Sequence, residues 1–290
     1  MNSALNFSLN GRYENSITQL EIIAENWCMK QEQELIPYEC SPLPEGPYLV
    51  CAPHPDDETF GMGGTIVNAV EKGIRVYVLF VTDGSAGGDG KTRKEEARRA
   101  CNLLGVHEIY FWDFPDRQLI SHGPAFEARF REIVESLCPR TVFVPSLFEF
   151  HPDHRATAFF VWKTLAGCRY AGQFWMYEVG RQGEANRLID ISSYMSKKIE
   201  AIRAYSSQLQ CRHYEDVVVA INRARTFTLE GVRYAEAFFC IEAGDDLLAL
   251  LEFRDRYVEG FSLAGLKKNS PLLDLLAVPV RRVRSLFFRR

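Results

Sequence analysis

Short apolar runs of strand length punctuate this chain. They fall at Tyr48–Ala52, Ile74–Val81, Glu108–Trp112, Thr141–Pro145 and Phe174–Val179. Between them, apolar residues recur at helical spacing. Met62, Ile66 and Ala69 mark one face of a helix over Gly61–Lys72, with Gly73 as its stop. Ala97, Ala100, Cys101 and Leu104 mark a second over Lys91–Leu104, ended by Gly105. Phe126, Phe130, Ile133 and Leu137 mark a third over Pro124–Leu137, and a fourth runs from about residue 155 to Ala166. Strand and helix alternate at roughly 30-residue spacing, the pattern of βαβ units. The expected fold is therefore α/β and Rossmann-like, a mostly parallel sheet with helices on both faces. Ile74–Val81 is almost wholly apolar, as a strand covered on both faces must be.

The flanks read differently. Glu14–Leu35 predicts a helix with Ile17, Leu20, Ala24 and Trp27 on one face, and the four prolines of Pro37–Pro47 make a non-helical linker. Beyond residue 180, Ser196–Leu209 predicts a helix, Val217–Ile221 and Phe238–Ile241 predict strands, and Asp245 or Asp246 caps a helix over Leu247–Tyr257. Three parts follow: an extension over 1–46, a main domain over 47–260 and a tail over 261–290. In that tail, Pro271–Arg290 is apolar and rich in arginine at once. Such a helix either docks on the domain or lies at a membrane interface.

Composition narrows the function classes. A net charge of -4 gives no bulk attraction for nucleic acid or anionic lipid. The eight cysteines are scattered with no C-x-x-C, and the several that lie in apolar runs read as buried free thiols, which suggests a reducing compartment. Residues 1–16 lack the pattern of a signal peptide, and the longest strictly apolar run is six residues, Val76–Val81. The expected location is cytoplasmic, with the tail as the candidate for peripheral contact at the inner face of a membrane.

The chemistry is concentrated in two loops. A-P-H-P-D-D-E over Ala52–Glu58 follows the first strand, and H-P-D-H over His151–His154 follows the fourth. Adjacent carboxylates repel one another, so something must compensate them. A solvated acidic turn capping a helix is the plain reading; the histidine beside it and the second histidine cluster favour a divalent cation. Both loops follow strands, and so fall on the same edge of a parallel sheet, where α/β proteins keep their ligands. They offer His54, Asp56, Asp57, Glu58, His151, Asp153 and His154. Two imidazoles and one carboxylate make an open zinc site. That leaves Asp56 to take a proton from a water whose pKa zinc lowers to roughly 7. His151 is then free to steady an oxyanion, with Asp153 holding its tautomer or keeping it protonated.

These two motifs resemble the LmbE/PIG-L family of metal-dependent deacetylases, and the resemblance covers most of residues 47–241. The helix from Arg93-Lys-Glu-Glu-Ala97 to Leu104-Gly105, the loop Pro115-Asp116-Arg117, Ala204–Gln208 and Tyr234–Phe238 are similar to further family segments. The resemblance implies hydrolysis of an N-acetyl group on an N-acetylglucosaminyl unit or a related amide. It implies His54, Asp57 and His154 as metal ligands, Asp56 as general base and His151 as oxyanion stabiliser. It also implies Arg93 and Asp116 as contacts to sugar hydroxyls and Glu58 as a supporting residue. The cofactor would be zinc, although a nitrogen and oxygen site accepts ferrous iron as well. The partner would be a small amino-sugar conjugate, lipid-linked if the tail meets membrane. Two departures bear on substrate: Thr82-Asp-Gly-Ser85 stands where the family often has T-x-G-E, and Glu149 where some members have tyrosine.

The remaining signals are weaker. Gly61–Gly64 lies about nine residues past the first strand, too late for a dinucleotide fingerprint. The glycine-rich Thr82–Gly90 loop reads instead as a mobile rim over the pocket. His107, His122 and His213 read as surface or loop residues, and Trp112 as either core or a sugar platform. Two other functions remain open at this point: a non-catalytic, membrane-associated sugar-binding protein on the same fold, and an amidase acting on a non-sugar amide.

Overall fold

A computed structural model of the chain describes residues 32–241, apart from residues 169 and 211. After a single helical turn, α1 (Glu32–Leu35), come β1 (Tyr48–Ala52), α2 (Asp57–Glu71), β2 (Val76–Thr82), α3 (Gly90–Leu104) and β3 (Glu108–Phe114). They are followed by α4 (Gly123–Leu137), β4 (Thr141–Pro145), α5 (Pro152–Gly167), β5 (Gln173–Tyr177) and β6 (Arg187–Asp190). The described part closes with α6 (Met195–Arg203), α7 (Ser206–Leu209), α8 (Tyr214–Ala224) and β7 (Ala235–Ile241). No helix among the described residues is long and apolar enough to cross a membrane.

The strands form one seven-stranded sheet in the order β3-β2-β1-β4-β5-β7-β6. β1 to β5 are parallel, and β7 pairs antiparallel with both β5 and β6. Alternate residues of β1 enter opposite cores. Tyr48, Val50 and Ala52 pack with Ile66 of α2, Ala97 and Leu104 of α3 and Ile202 of α6. Leu49 and Cys51 pack with Phe126 and Phe130 of α4 and Val161 of α5. That division is the two-faced burial that the apolar strands require. The strand order reverses between β1 and β4, so the crevice at their carboxyl ends is a topological switch point. The loop after each of these two strands carries one of the two histidine motifs.

Several expectations need correction. The run Val217–Ile221 is not a strand but lies within α8. Val218 and Asn222, four apart, are buried while Val217 is exposed, so packing at helical period overrides the strand preference of three successive valines. The strand at Arg187–Asp190 has no counterpart in the sequence pattern, because a four-residue edge segment has little room for one. The helix expected over Ser196–Leu209 breaks at Tyr205 (φ −85°, ψ 52°) into α6 and α7. α2 begins at Asp57 rather than Gly61, which places the acidic motif inside its first turn. Trp112 packs against Phe126 with the Arg129 guanidinium over its ring, so its role is packing on α4. The main domain is described as far as residue 241. The body of the Glu14–Leu35 helix, the Leu247–Tyr257 helix and the basic tail lie outside the described residues.

Candidate active site

The first loop is held in an unusual backbone state. Asp56, the N-cap residue of α2, has φ 138° and ψ −27°, a region that favours glycine. Such a conformation costs about 1–3 kcal/mol and persists only where its surroundings over-determine it. Here they do. The Asp56 N–H donates to Glu58 Oε2 at 3.3 Å. Arg93 Nη2 donates to Pro55 O at 2.7 Å and to Asp56 Oδ2 at 2.8 Å. Glu58, fully buried, accepts in turn from the Tyr205 hydroxyl at 2.6 Å. Asp57 Oδ2 accepts the His54 N–H at 2.8 Å, which closes the turn on itself.

The second loop supplies its histidines from the start of α5. His151 is the N-cap, Pro152 opens the helix, and His154 sits in the first turn. The two loops meet. His54 Nδ1, Asp57 Oδ2 and His154 Nε2 lie 3.1, 3.2 and 3.3 Å from one another. A tetrahedral zinc site with bonds of about 2.0–2.1 Å has donors about 3.3 Å apart, so this triangle matches one face of such a site. The residues present therefore fit a divalent cation. All three side chains are buried.

Outer residues back this triangle. His54 Nε2, with no hydrogen-bond partner, faces Asp116 Oδ1 at 3.3 Å and Asp153 Oδ2 at 3.5 Å. Carboxylates behind the far nitrogen of a ligating histidine fix its orientation and raise its basicity. His154 Nδ1, also unpartnered, points towards Glu149 Oε2 at 4.0 Å. Glu149 Oε1 accepts from the backbone N–H groups of Val179, Gly180 and Arg181. Ligand atoms of His54, Asp116, His151 and Asp153 also lie within 4.8 Å of one another, as do those of His54, His151 and His154.

Electrostatics at the site reflect the crowding. Burial drives the Asp56 carboxyl up to about 8; Arg93 opposes the rise and Asp57 adds to it. Burial likewise lifts Glu58 to about 7 against its hydroxyl partners. Burial works to raise Asp57 too, but His154 and His54 outweigh it and hold that carboxyl well below its ordinary range. Burial works to lower His54, yet Asp116, Asp153 and Asp57 keep it well above the usual imidazole value. His151 falls to about 4 through burial and the charge of its two neighbouring imidazoles.

Three expected partnerships differ. Asp153 does not orient His151 through its carboxylate, which accepts from the N–H groups of Arg117 and Leu119. Its backbone N–H instead donates to His151 Nδ1 at 3.2 Å, which leaves Nε2 as the hydrogen-bearing nitrogen. Arg93 is 4% exposed and spends its guanidinium on Asp56, Pro55 O and Gly84 O. Asp116 faces His54 and accepts the Ala86 N–H. The glycine-rich loop, expected as a mobile rim, is tied at three points: Gly84 O to Arg93, Ala86 N to Asp116, and Gly87 O to Gln208.

A strained, buried acid beside converging imidazoles and a carboxylate, at a switch-point crevice, is the arrangement of a metal-dependent α/β hydrolase. A family model described as PIG-L, GlcNAc-PI de-N-acetylase, matches residues 49–165. The chain is 31% identical over 188 residues to diacetylchitobiose deacetylase of Thermococcus kodakarensis, covering 55% of this chain and 69% of that one. It is 29% identical over 198 residues to a Bacillus anthracis protein named Probable N-acetyl-alpha-D-glucosaminyl L-malate deacetylase 2, covering 59% and 87%. Among solved structures, the conserved protein TT1542 from Thermus thermophilus superposes with a TM-score of 0.61 at 30% identity, covering 67% of this chain and 94% of that one. The chain belongs to the PIG-L (LmbE-like) family of metal-dependent deacetylases.

Proposed function

We propose that this protein is a zinc-dependent hydrolase that removes the N-acetyl group from an N-acetylglucosamine-type sugar within a conjugate. The observation that carries the reading is the triangle of His54 Nδ1, Asp57 Oδ2 and His154 Nε2, with the carboxylate of Asp56 next in the chain. The two relatives named above for N-acetylated sugars support the substrate class. A divalent ion held there supplies Lewis acidity, which makes a water nucleophilic near neutral pH and polarises an acetamide carbonyl. The positive charge of an ion held beside Asp56 would favour its ionised form against the burial that raises it, and the carboxylate then takes the proton from the attacking water and returns it to the leaving amine. Arg93 and the strained backbone fix that carboxylate in one orientation. His151 donates from Nε2 to the oxygen on which negative charge develops. Asp116 and Asp153 face the His54 ring and orient it.

The lipid-linked form of such a conjugate is the one that the basic, apolar sequence over 271–290 suits. Acetate release from free N-acetylglucosamine, acid and inositol conjugates, nucleotide sugars and lipid-linked forms tests the substrate class. Asp56→Asn should retain the metal and lose turnover by about 10²–10⁴-fold, the ordinary contribution of a general base. Full activity in that variant refutes the mechanism. Metal uptake without acetate release from any conjugate would favour a sugar-binding role instead.

A further inference from the structure

α2, which carries Asp57 and Glu58 in its first turn, is two helices joined at a break. Met62 has φ −143° and ψ 23°, outside the helical region. A helix that restarts after a break exposes a fresh set of N–H groups with no carbonyl one turn back. Two of these are those of Gly64 and Thr65. They donate to the two oxygens of one carboxylate: Gly64 N to Glu236 Oε1 at 2.9 Å, and Thr65 N to Glu236 Oε2 at 2.7 Å. Glu236 lies on β7 and is fully buried. Its charge is met by Lys198 of α6, also fully buried, whose Nζ lies 2.6 Å from Glu236 Oε1. Lys198 Nζ donates onward to Asn222 Oδ1 of α8 at 2.9 Å.

The pair is expensive to bury, and the two N–H groups it caps lie in mid-element. A continuous helix would satisfy both from its own carbonyls. The close approach is also built in. A Cβ on Gly63 would come 3.2 Å from Lys198 Cγ, and one on Gly64 would come 2.7 Å from Ile191. Negative charge at a helix N-terminus is favourable, and here it comes from a strand distant in sequence. We infer that Glu236, paired with Lys198, is a positioning residue that fixes the break in α2 and thereby aims the turn bearing Asp57 at His54 and His154. The inference rests on the metal role proposed for Asp57. It gives a purpose to the Tyr234–Phe238 segment, which touches none of the proposed ligands.

The test compares Glu236→Gln with Phe130→Leu, a packing defect in the core on the opposite face of the sheet. Zinc affinity is measured by chelator competition and backbone protection by deuterium uptake. Glu236→Gln should weaken zinc binding by about tenfold or more, as loss of outer support for a metal site does. Phe130→Leu should leave it within about twofold at equal thermal destabilisation. Uptake in the 53–62 segment should rise in Glu236→Gln alone. If Glu236→Gln does not fold, the double variant Lys198→Met with Glu236→Gln, which buries no lone charge, serves for the same comparison. Zinc binding and 53–62 protection no worse than in Phe130→Leu would overturn the inference. A wild-type chain that bound no divalent metal would overturn the deacetylase mechanism instead, and there the uptake comparison still decides whether Glu236 fixes the turn.

Discussion

Gly61 sits between the ligand-bearing turn and the break in α2, and its replacement by alanine sets two opposing effects against each other. Alanine in a helix gains roughly 0.5–1 kcal/mol over glycine through chain entropy. Against that, the new Cβ would lie 2.4 Å from Tyr177 Cδ2, 2.7 Å from Tyr177 Cε2 and 2.8 Å from Glu178 O. Carbon atoms pack at about 3.5–4.0 Å, so roughly 1 Å of movement is required. Tyr177 cannot supply it cheaply. Its ring is fully buried and its hydroxyl donates to Cys51 O at 3.0 Å, while Glu178 O is backbone. Overpacking of this kind costs about 1–3 kcal/mol, so steric strain outweighs the entropy gain. For a domain of this size a loss of about 1 kcal/mol lowers the melting point by roughly 2–4 °C. Relief has to come from α2 itself, and Asp57 is one turn away, so zinc binding weakens as well. Gly167→Ala at the end of α5 is the control, because a Cβ there meets nothing within 4 Å. It should leave stability unchanged or raised and metal affinity intact. Melting curves of metal-free protein and chelator competition read both effects. Equal stability and equal affinity in the two variants would refute the packing argument.

Glu149→Gln should weaken zinc binding by about tenfold through loss of the anion behind His154, as measured by the same competition; unchanged affinity would remove Glu149 from the site's support. Stability should fall steeply above about pH 8.5, the ordinary thiol value. The buried thiols of Cys51 and Cys101 are both raised by burial, so the unfolded chain releases those protons first. Their contribution is complete below the unfolded value of about 8.5 and is lost as pH rises, at about 1.4 kcal/mol per pH unit for each thiol. Denaturant midpoints between about pH 8 and 10, on either side of that value, check this, and a slope unchanged by Cys51→Ala with Cys101→Ala would refute it.

Most of the parallel half of the fold was legible because β1, β2 and β4 are buried at every residue and so are almost wholly apolar, whereas the edge strand β3 carries exposed Glu108 and Asp113. β1 shows it: all five residues are fully buried, and no other element could use such a run beside a proline-rich linker. Legibility failed beyond β5, where the sheet turns antiparallel and burial is no longer uniform. β6 has an exposed residue at one end and is recruited by β7, so its register comes from the partner strand. Val217–Val219 carry strand propensity, but Val218 and Asn222 are needed on one helical face, Val218 in the apolar core and Asn222 against the buried amine of Lys198. No local signal announces that need.

The candidate site divides along the same line. The convergence of His54, Asp57 and His154 was readable because few residue types can ligate a metal, and strand ends on one sheet edge bring distant loops together. The error over Asp153 has a geometric cause. Residues 151 and 153 are neighbours in sequence, but positions two apart on a helix point to different sides, whereas positions three apart share one. His151 and His154 accordingly lie with ring centroids 5.3 Å apart. The Asp153 carboxylate stays within 4.8 Å of a His151 ring nitrogen but accepts its hydrogen bonds from Arg117 N and Leu119 N and faces His54. Asp116, read as a sugar contact, reaches the same imidazole from another loop. Asp56 shows the complementary limit. Its proposed role as base follows from its place beside these side chains, but its strained backbone depends on Glu58, Arg93 and Tyr205 together, drawn from three separate parts of the chain. A motif names the groups that meet the substrate. The groups that hold them are chosen by packing across the chain, and Glu236, 172 residues from Gly64, is the furthest of these.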